Sequence, residues 1–202
     1  MNFLLLAAAY LIGGIPFGYL LVRWRTGEDV RATGSGNIGA TNVLRSSGRG
    51  LGVATLLLDV AKGWVAVWLT ARYSSGEPVW TALAALAVIL GHAFPVMLKF
   101  QGGKAVASFV GAFAYLAPLP LLAITIVFVA VVAVTRYISL GSILGAALFP
   151  LAVWMIDHPD HTRVVAALLG GAFIIWRHKA NIARLRAGNE NVFTFGKKKG
   201  AR

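Results

Sequence analysis

Apolar residues in this chain run on without alternating. Continuous stretches occupy Phe3 to Val22, Leu51 to Leu69, Val79 to Leu98, Ala105 to Leu116, Leu121 to Val134, Ile138 to Ile156 and Val164 to Trp176. Runs close to the roughly 20 residues that carry an α-helix across a hydrocarbon core of about 30 Å predict membrane helices. Seven runs predict an all-α integral membrane protein with about seven short transmembrane helices. The fourth and fifth runs are shorter than a full span, and Pro118 and Pro120 lie between them. Together they are too long for one crossing, so they form either two passes or a re-entrant hairpin, which have the same parity.

Charge between the runs sets the orientation. With that parity, one side receives Arg23, Arg25, Arg31, Arg45, Arg49, Lys99, Lys104, Arg136 and every basic residue of the tail. The other has Arg72 and Arg163 beside Glu77, Asp157 and Asp160. By the positive-inside rule the N-terminus is outside and the C-terminus cytoplasmic. The first run has no basic segment before it and is read as a membrane helix, not a signal peptide.

Composition agrees. The 202 residues are 58% hydrophobic and 13% charged, with a mean hydropathy of +0.74, outside the soluble range. Residues 1–202 are read as a single polytopic domain, and 193–202 as a flexible basic tail near anionic lipid heads. The absence of cysteine excludes disulfides, thiolate metal sites and a cysteine nucleophile. A formal charge of +12 raises the question of nucleic acid, but the basic residues are spread between membrane segments with no soluble recognition module around them. Asp59 and Lys62, three apart in the second run, share a helix face and read as an internal ion pair that fixes packing, in preference to an ion relay. The pairs Gly14/Gly18, Gly48/Gly52 and Gly141/Gly145 have the spacing of close helix approach.

Three polar patches interrupt the grease and, by this topology, share one membrane face. Polar, glycine-rich backbone between membrane helices must sit in water or line a cavity, which points to a site. The first patch, Gly34 to Gly39, matches the GxGxxG pattern but follows a membrane helix and a charged loop where a strand is required, so a dinucleotide fold is rejected. Glycines there allow backbone N–H groups to approach an anion, and Ser35, Asn37, Thr41, Asn42 and Arg45 add hydrogen bonds and charge. The second, Gly102-Gly103-Lys104 before the fourth run, offers free N–H groups, a helix dipole and an ammonium. It is not a Walker A loop, since Leu98 and Ala105 stand where that motif needs glycine and a hydroxyl. The third holds Arg177, His178, Lys179, Asn181 and Glu190; His178 and Asn181 share a helical face. His92 reads as a helix-end hydrogen-bonder, and Ser142 as a cap or a site hydroxyl.

SGNIGATN at 35–42, GHAFPVMLKFQGGKAVA at 91–107 and HKANIARLRAGNE at 178–190 resemble, in order, the three motifs of the bacterial acyl-phosphate-dependent glycerol-3-phosphate acyltransferases. The resemblance includes DVAKG at 59–63 and runs the length of the chain. It implies transfer of a fatty acyl group from acyl phosphate to the 1-hydroxyl of sn-glycerol 3-phosphate. The products are 1-acylglycerol 3-phosphate and inorganic phosphate, with neither metal, coenzyme A nor other cofactor. It also implies an inner-membrane enzyme with a cytoplasm-facing site; the expected partners are the two substrates, membrane lipid and, by functional coupling, acyl-phosphate-producing and second-step acyltransferase enzymes, with no nucleic acid and a monomeric state. The His-x-x-x-x-Asp pattern of other glycerolipid acyltransferases is absent.

Carried over by motif, the resemblance assigns Ser35, Gly36, Asn37, Gly39, Thr41 and Asn42 to phosphate and oxyanion contacts, and Arg45 and Lys104 to charge neutralisation. Gly102 and Gly103 become backbone donors. His178 and Asn181 hold the glycerol phosphate and its hydroxyl, with Ser142 and Glu190 beside them. Either substrate phosphate or His178 takes the proton. The competing readings are a transporter or channel for a phosphorylated anion, against which the absence of visible repeats counts, and a purely structural membrane subunit.

Overall fold

The computed structural model describes residues 1–158 and 161–193; Asp160 and the basic tail beyond 193 lie outside the described residues. The chain is helical: α1 (Asn2–Gly13), α2 (Phe17–Thr26), α3 (Ala40–Ser46), α4 (Arg49–Tyr73), α5 (Pro78–Ala93), α6 (Val106–Leu116), α7 (Pro118–Thr135), α8 (Ile138–Asp157), α9 (His161–Arg177) and α10 (Lys179–Arg186). Among the described residues, five segments are long and apolar enough to cross a bilayer: Asn2–Thr26, Arg49–Tyr73, Pro78–Leu98, Pro118–Thr135 and Ile138–Asp157. α6, with 11 residues, rises only about 16 Å, roughly half a hydrocarbon core. Non-helical backbone at Ala117 (φ −151°, ψ 67°) and Pro118 at the first helical position separate it from α7.

α6 is the hub. Its Phe109 and Phe113 meet Phe149 of α8 at ring separations of 5.2 and 4.9 Å, in edge-to-face contacts that favour aromatic quadrupoles. Val88 and Ile89 of α5 and Ile174 of α9 complete this core. Contact with α4 is close enough that a Cβ on Gly111 would collide with the Val60 carbonyl. α7, by contrast, fully buries only Pro120 and packs mainly on α8, where Gly141 and Gly145 admit Phe128, Val132 and Ile124. The close approach expected of that glycine pair is present.

The other two pairs need correction. Gly48 caps the start of α4 at φ 102°, with open space where a Cβ would lie, and so makes no close helix contact; its partner Gly52 packs on Leu44. Gly14 and Gly18 do not share one helix, because the first apolar run is broken at Gly14-Ile15-Pro16 into α1 and α2. Pro16 has no N–H for the Ile12 carbonyl, which accepts from Ile15 N at 3.2 Å instead, and the interruption leaves the Ile15 carbonyl without a helical partner. Inside a bilayer such a group must be satisfied by protein. The Ile15 carbonyl accepts from Phe17 N at 3.1 Å and from the Lys62 ammonium at 2.7 Å. Gly18 then lies against the Ile38 carbonyl, seating the first polar loop on α2.

Candidate functional site

The first polar patch is a loop wound around one side chain. Asn42, 2% exposed in α3, accepts from Ser35 N at 2.8 Å. Its Nδ2 donates towards the carbonyls of Val30, Thr33 and Asn37 at 3.2, 3.1 and 2.9 Å. Gly34 (φ 60°) has to be glycine, because any Cβ would strike Asn42 Oδ1 and the backbone is left-handed. Asn37 Oδ1 accepts from Gly39 N at 2.8 Å, an Asx turn that leads into α3. The Gly36 N–H donates to the Thr33 carbonyl at 3.1 Å. Asn42 and the backbone N–H groups of Ser35, Gly36 and Gly39 are therefore occupied in shaping the loop. The side chains of Ser35 and Arg45 are exposed, and Thr41 is half-buried.

The second patch is corrected in the same way. After α5 the chain doubles back, and the N–H groups of Gly102 and Gly103 donate to the Ala93 and His92 carbonyls, both at 3.1 Å. They satisfy the carbonyl end of α5 and are not donors for a ligand. Glycine is required by proximity, since Cβ atoms would collide with the His92 carbonyl at 102 and the His92 ring at 103. Arg177 clamps the same loop from the other side, donating to both glycine carbonyls at 2.9 to 3.2 Å. What this loop presents is Lys104, immediately before the N-terminus of α6.

The third patch meets the second directly. The Lys104 ammonium donates to Asn181 Oδ1. Asn181 Nδ2 donates to Glu190 Oε1 at 2.9 Å, and Arg184 Nε to Glu190 Oε2 at 2.9 Å. Local sequence explains the return of Glu190: Gly188, at φ 69°, ends α10 in a left-handed turn that folds the chain back on the helix. Arg45 Nη2 donates to the Asn191 carbonyl at 3.3 Å, tying α3 to this segment. Phe193 N bonds the Arg136 carbonyl at 2.8 Å, anchoring it to the α7–α8 junction. Glu190 thus orients Asn181 and Arg184 from a buried position. Ser142 is also committed, donating to the Ile138 carbonyl of its own helix at 2.9 Å.

Electrostatics follow from this packing. Burial lowers the Lys104 ammonium from 10.5 to about 8, with Arg184, Arg45 and Arg177 pressing further and Glu190 opposing. Burial would raise the Glu190 carboxyl, but hydrogen bonds from Asn181 and Arg184 outweigh it and hold the group below its usual value. Burial pushes His178 down to about 4. Its Nδ1 lies 2.8 Å from the Ile174 carbonyl, which only accepts, so Nδ1 carries the proton and Nε2 a lone pair. The chemistry that remains is an exposed serine hydroxyl, a half-buried threonine, two cations and the buried, neutral imidazole acceptor of His178.

Arg184 is not among the sequence candidates, and Arg177 is placed in the third patch by sequence without a role of its own. The spacing Asn181 to Arg184, one helical turn, was the available signal for the former. For Arg177 there was none, because its partners are backbone carbonyls 74 and 75 residues away.

A glycerol-3-phosphate acyltransferase family model matches residues 3–188. The chain is 47% identical over 190 residues to a glycerol-3-phosphate acyltransferase of Geobacter sulfurreducens, covering 94% of this chain and 96% of that one. It is 43% identical over 196 residues to one from Desulforamulus reducens, covering 97% and 96%. Among solved structures it is similar to PlsY, an integral membrane glycerol 3-phosphate acyltransferase, in its glycerol 3-phosphate form. There the TM-score is 0.90 with 35% identity, over 96% of each chain. With the first two motifs and the third as far as Gly188 inside the matched span, and the whole helical arrangement shared, the chain belongs to the glycerol-3-phosphate acyltransferase family.

Proposed function

We propose that this acyltransferase moves a fatty acyl group from acyl phosphate to the 1-hydroxyl of sn-glycerol 3-phosphate, releasing 1-acylglycerol 3-phosphate and inorganic phosphate. The observation that carries the reading is Lys104, held by the Asn181–Glu190–Arg184 chain beside a neutral His178. Both substrates bear phosphate, and charge grows on the acyl oxygen as the hydroxyl attacks. A reaction of that kind needs fixed cations and donors at the edge of the hydrocarbon, where the acyl chain stays in lipid. Lys104 and Arg45 supply the charge, with the N-terminus of α6 behind Lys104. The Ser35 hydroxyl and Thr41 supply hydrogen bonds from the first loop.

His178 Nε2 accepts from the attacking hydroxyl and aims it. A group with a pKa of about 4 is a weak base near neutrality, so positioning is its contribution. The new bond joins the glycerol oxygen to the acyl carbon, and the carbon–oxygen bond to phosphate breaks. Phosphate leaves with that electron pair and takes the hydroxyl proton. In the cell, this reading has seven crossings, an external N-terminus and a site facing the cytoplasm of the inner membrane. Arg23, Arg45, Lys99 and Lys104 then share the positive side.

Purified protein in lipid, given acyl phosphate and radiolabelled glycerol 3-phosphate, is expected to form labelled 1-acylglycerol 3-phosphate in the presence of a chelator and without coenzyme A. Label crossing sealed vesicles unacylated would replace the reading with transport. A pH dependence follows as well. Above pH 7 the substrate phosphate is predominantly the dianion, and kcat/KM is expected to fall as pH rises through about 8, because the Lys104 ammonium is the attracting form and is lost there. Lys104→Arg, whose guanidinium keeps its proton, should remove that fall. A flat profile to pH 10 in the unmutated enzyme would show that Lys104 does not meet substrate.

A further inference from the structure

Beneath the Gly102-Gly103-Lys104 loop lies a polar cluster that the reaction scheme does not use. Asp59 and Lys62 of α4 pair at 2.7 Å and are 1% and 4% exposed. An ion pair at that depth is costly to desolvate, and replacement by apolar side chains is often neutral for stability, so packing alone is a weak reason for it. Its surroundings suggest another. Lys62 reaches the Ile15 carbonyl at the α1–α2 break. Asp59 Oδ1 faces His92 Nδ1 at 3.7 Å, and His92 Nδ1 lies 3.2 Å from Ser108 Oγ in the first turn of α6. The opposite ring nitrogen of His92 is pressed against Gly103, and the His92 carbonyl holds the Gly103 N–H.

The geometry points to Asp59, Lys62 and His92 as positioning residues that set the Gly102-Gly103 loop and so aim Lys104 at the substrate phosphate. This rests on the reading of that loop as a phosphate site. The physical reason is a three-way constraint. His92 is the floor of the loop, Ser108 fixes the start of α6 that leaves it, and the Asp59 carboxylate orients the imidazole between them. Lys62 in turn anchors Asp59 to a backbone carbonyl that does not move with side-chain rotation. A tilt of the imidazole would be passed directly to Gly103 and Lys104, because no Cβ lies between them.

The test is a double-mutant cycle on the full-length enzyme in lipid, read as kcat/KM for glycerol 3-phosphate and as thermal midpoint. Asp59→Asn and His92→Gln are each expected to lower kcat/KM by about 10- to 100-fold, the range produced by misplacing a catalytic group by about 1 Å. Because both act through the same imidazole, the double variant should be no slower than the worse single one. If the two losses multiply, or if folded Asp59→Asn has unmutated kinetics, the inference is overturned. Should Asp59→Asn fail to fold, Ser108→Ala with His92→Gln runs the same cycle from the α6 side, with the same criterion. Gly103→Ala separates the layers. It disturbs the loop directly, so unaltered kinetics there would refute the phosphate-loop reading itself. Impaired Gly103→Ala beside normal Asp59→Asn would refute only the positioning role.

Discussion

Lys104→Ala is expected to cut kcat/KM for acyl transfer by about 10²- to 10³-fold, the cost of removing one preorganised group that stabilises developing charge. The ammonium stands before the N-terminus of α6, and its partner Asn181 is itself held by Glu190. Little reorganisation is then needed when substrate arrives. The fold should survive, because the half-buried lysine is released and no buried charge is left without a partner: Asn181 keeps Glu190, and Glu190 keeps Arg184. The check is a kinetic comparison of Lys104→Ala and Lys104→Arg at pH 7, beside thermal midpoints in the same detergent. Equal rates for Lys104→Ala and the unmutated enzyme would remove Lys104 from the mechanism.

Asn42→Ala is expected to be as damaging to activity, and to cost stability too. One side chain satisfies the Ser35 N–H and is shared among three carbonyls of the loop. Its truncation leaves buried polar backbone unpaired, at a cost of about 3 kcal/mol. The loop that carries the Ser35 hydroxyl then loses its shape. Asn42→Asp keeps the acceptor for Ser35 but replaces the donor with negative charge facing carbonyl oxygens, and should do no better. A thermal midpoint and a rate that both stay near the unmutated values in Asn42→Ala would show that the loop is held some other way.

These two residues also show how legible the chain was. Lys104 could be found in the sequence because a lysine at the start of a short apolar run, after two glycines, has few uses other than charge at an interface. Asn42 was found for the wrong reason. Its place in a glycine, serine and asparagine stretch suggested a ligand contact, whereas burial commits both ends of its amide to backbone. The same error in sign applies to Gly102 and Gly103: closeness was read as approach to phosphate and is approach to the end of α5. Composition around a position reveals that hydrogen bonds are made there, and leaves open which partner receives them.

The break in the first apolar run repeats the lesson at the level of fold. Gly14 and Pro16 stood in the run as a visible warning, yet a run of that hydropathy still reads as one helix. What makes the break tolerable in a membrane is Lys62, 47 residues away, donating to the freed Ile15 carbonyl. The sequence by itself determined the membrane class, the apolar runs that become helices and the three motifs, because each is a local property of neighbouring residues. Tertiary structure alone decided that Arg177 clamps the second patch, that Lys104 meets Asn181, and that an ion pair in α4 lies under the loop in front of α6. Those are pairings between residues far apart in the chain, and their existence depends on how helices pack, which no local pattern encodes.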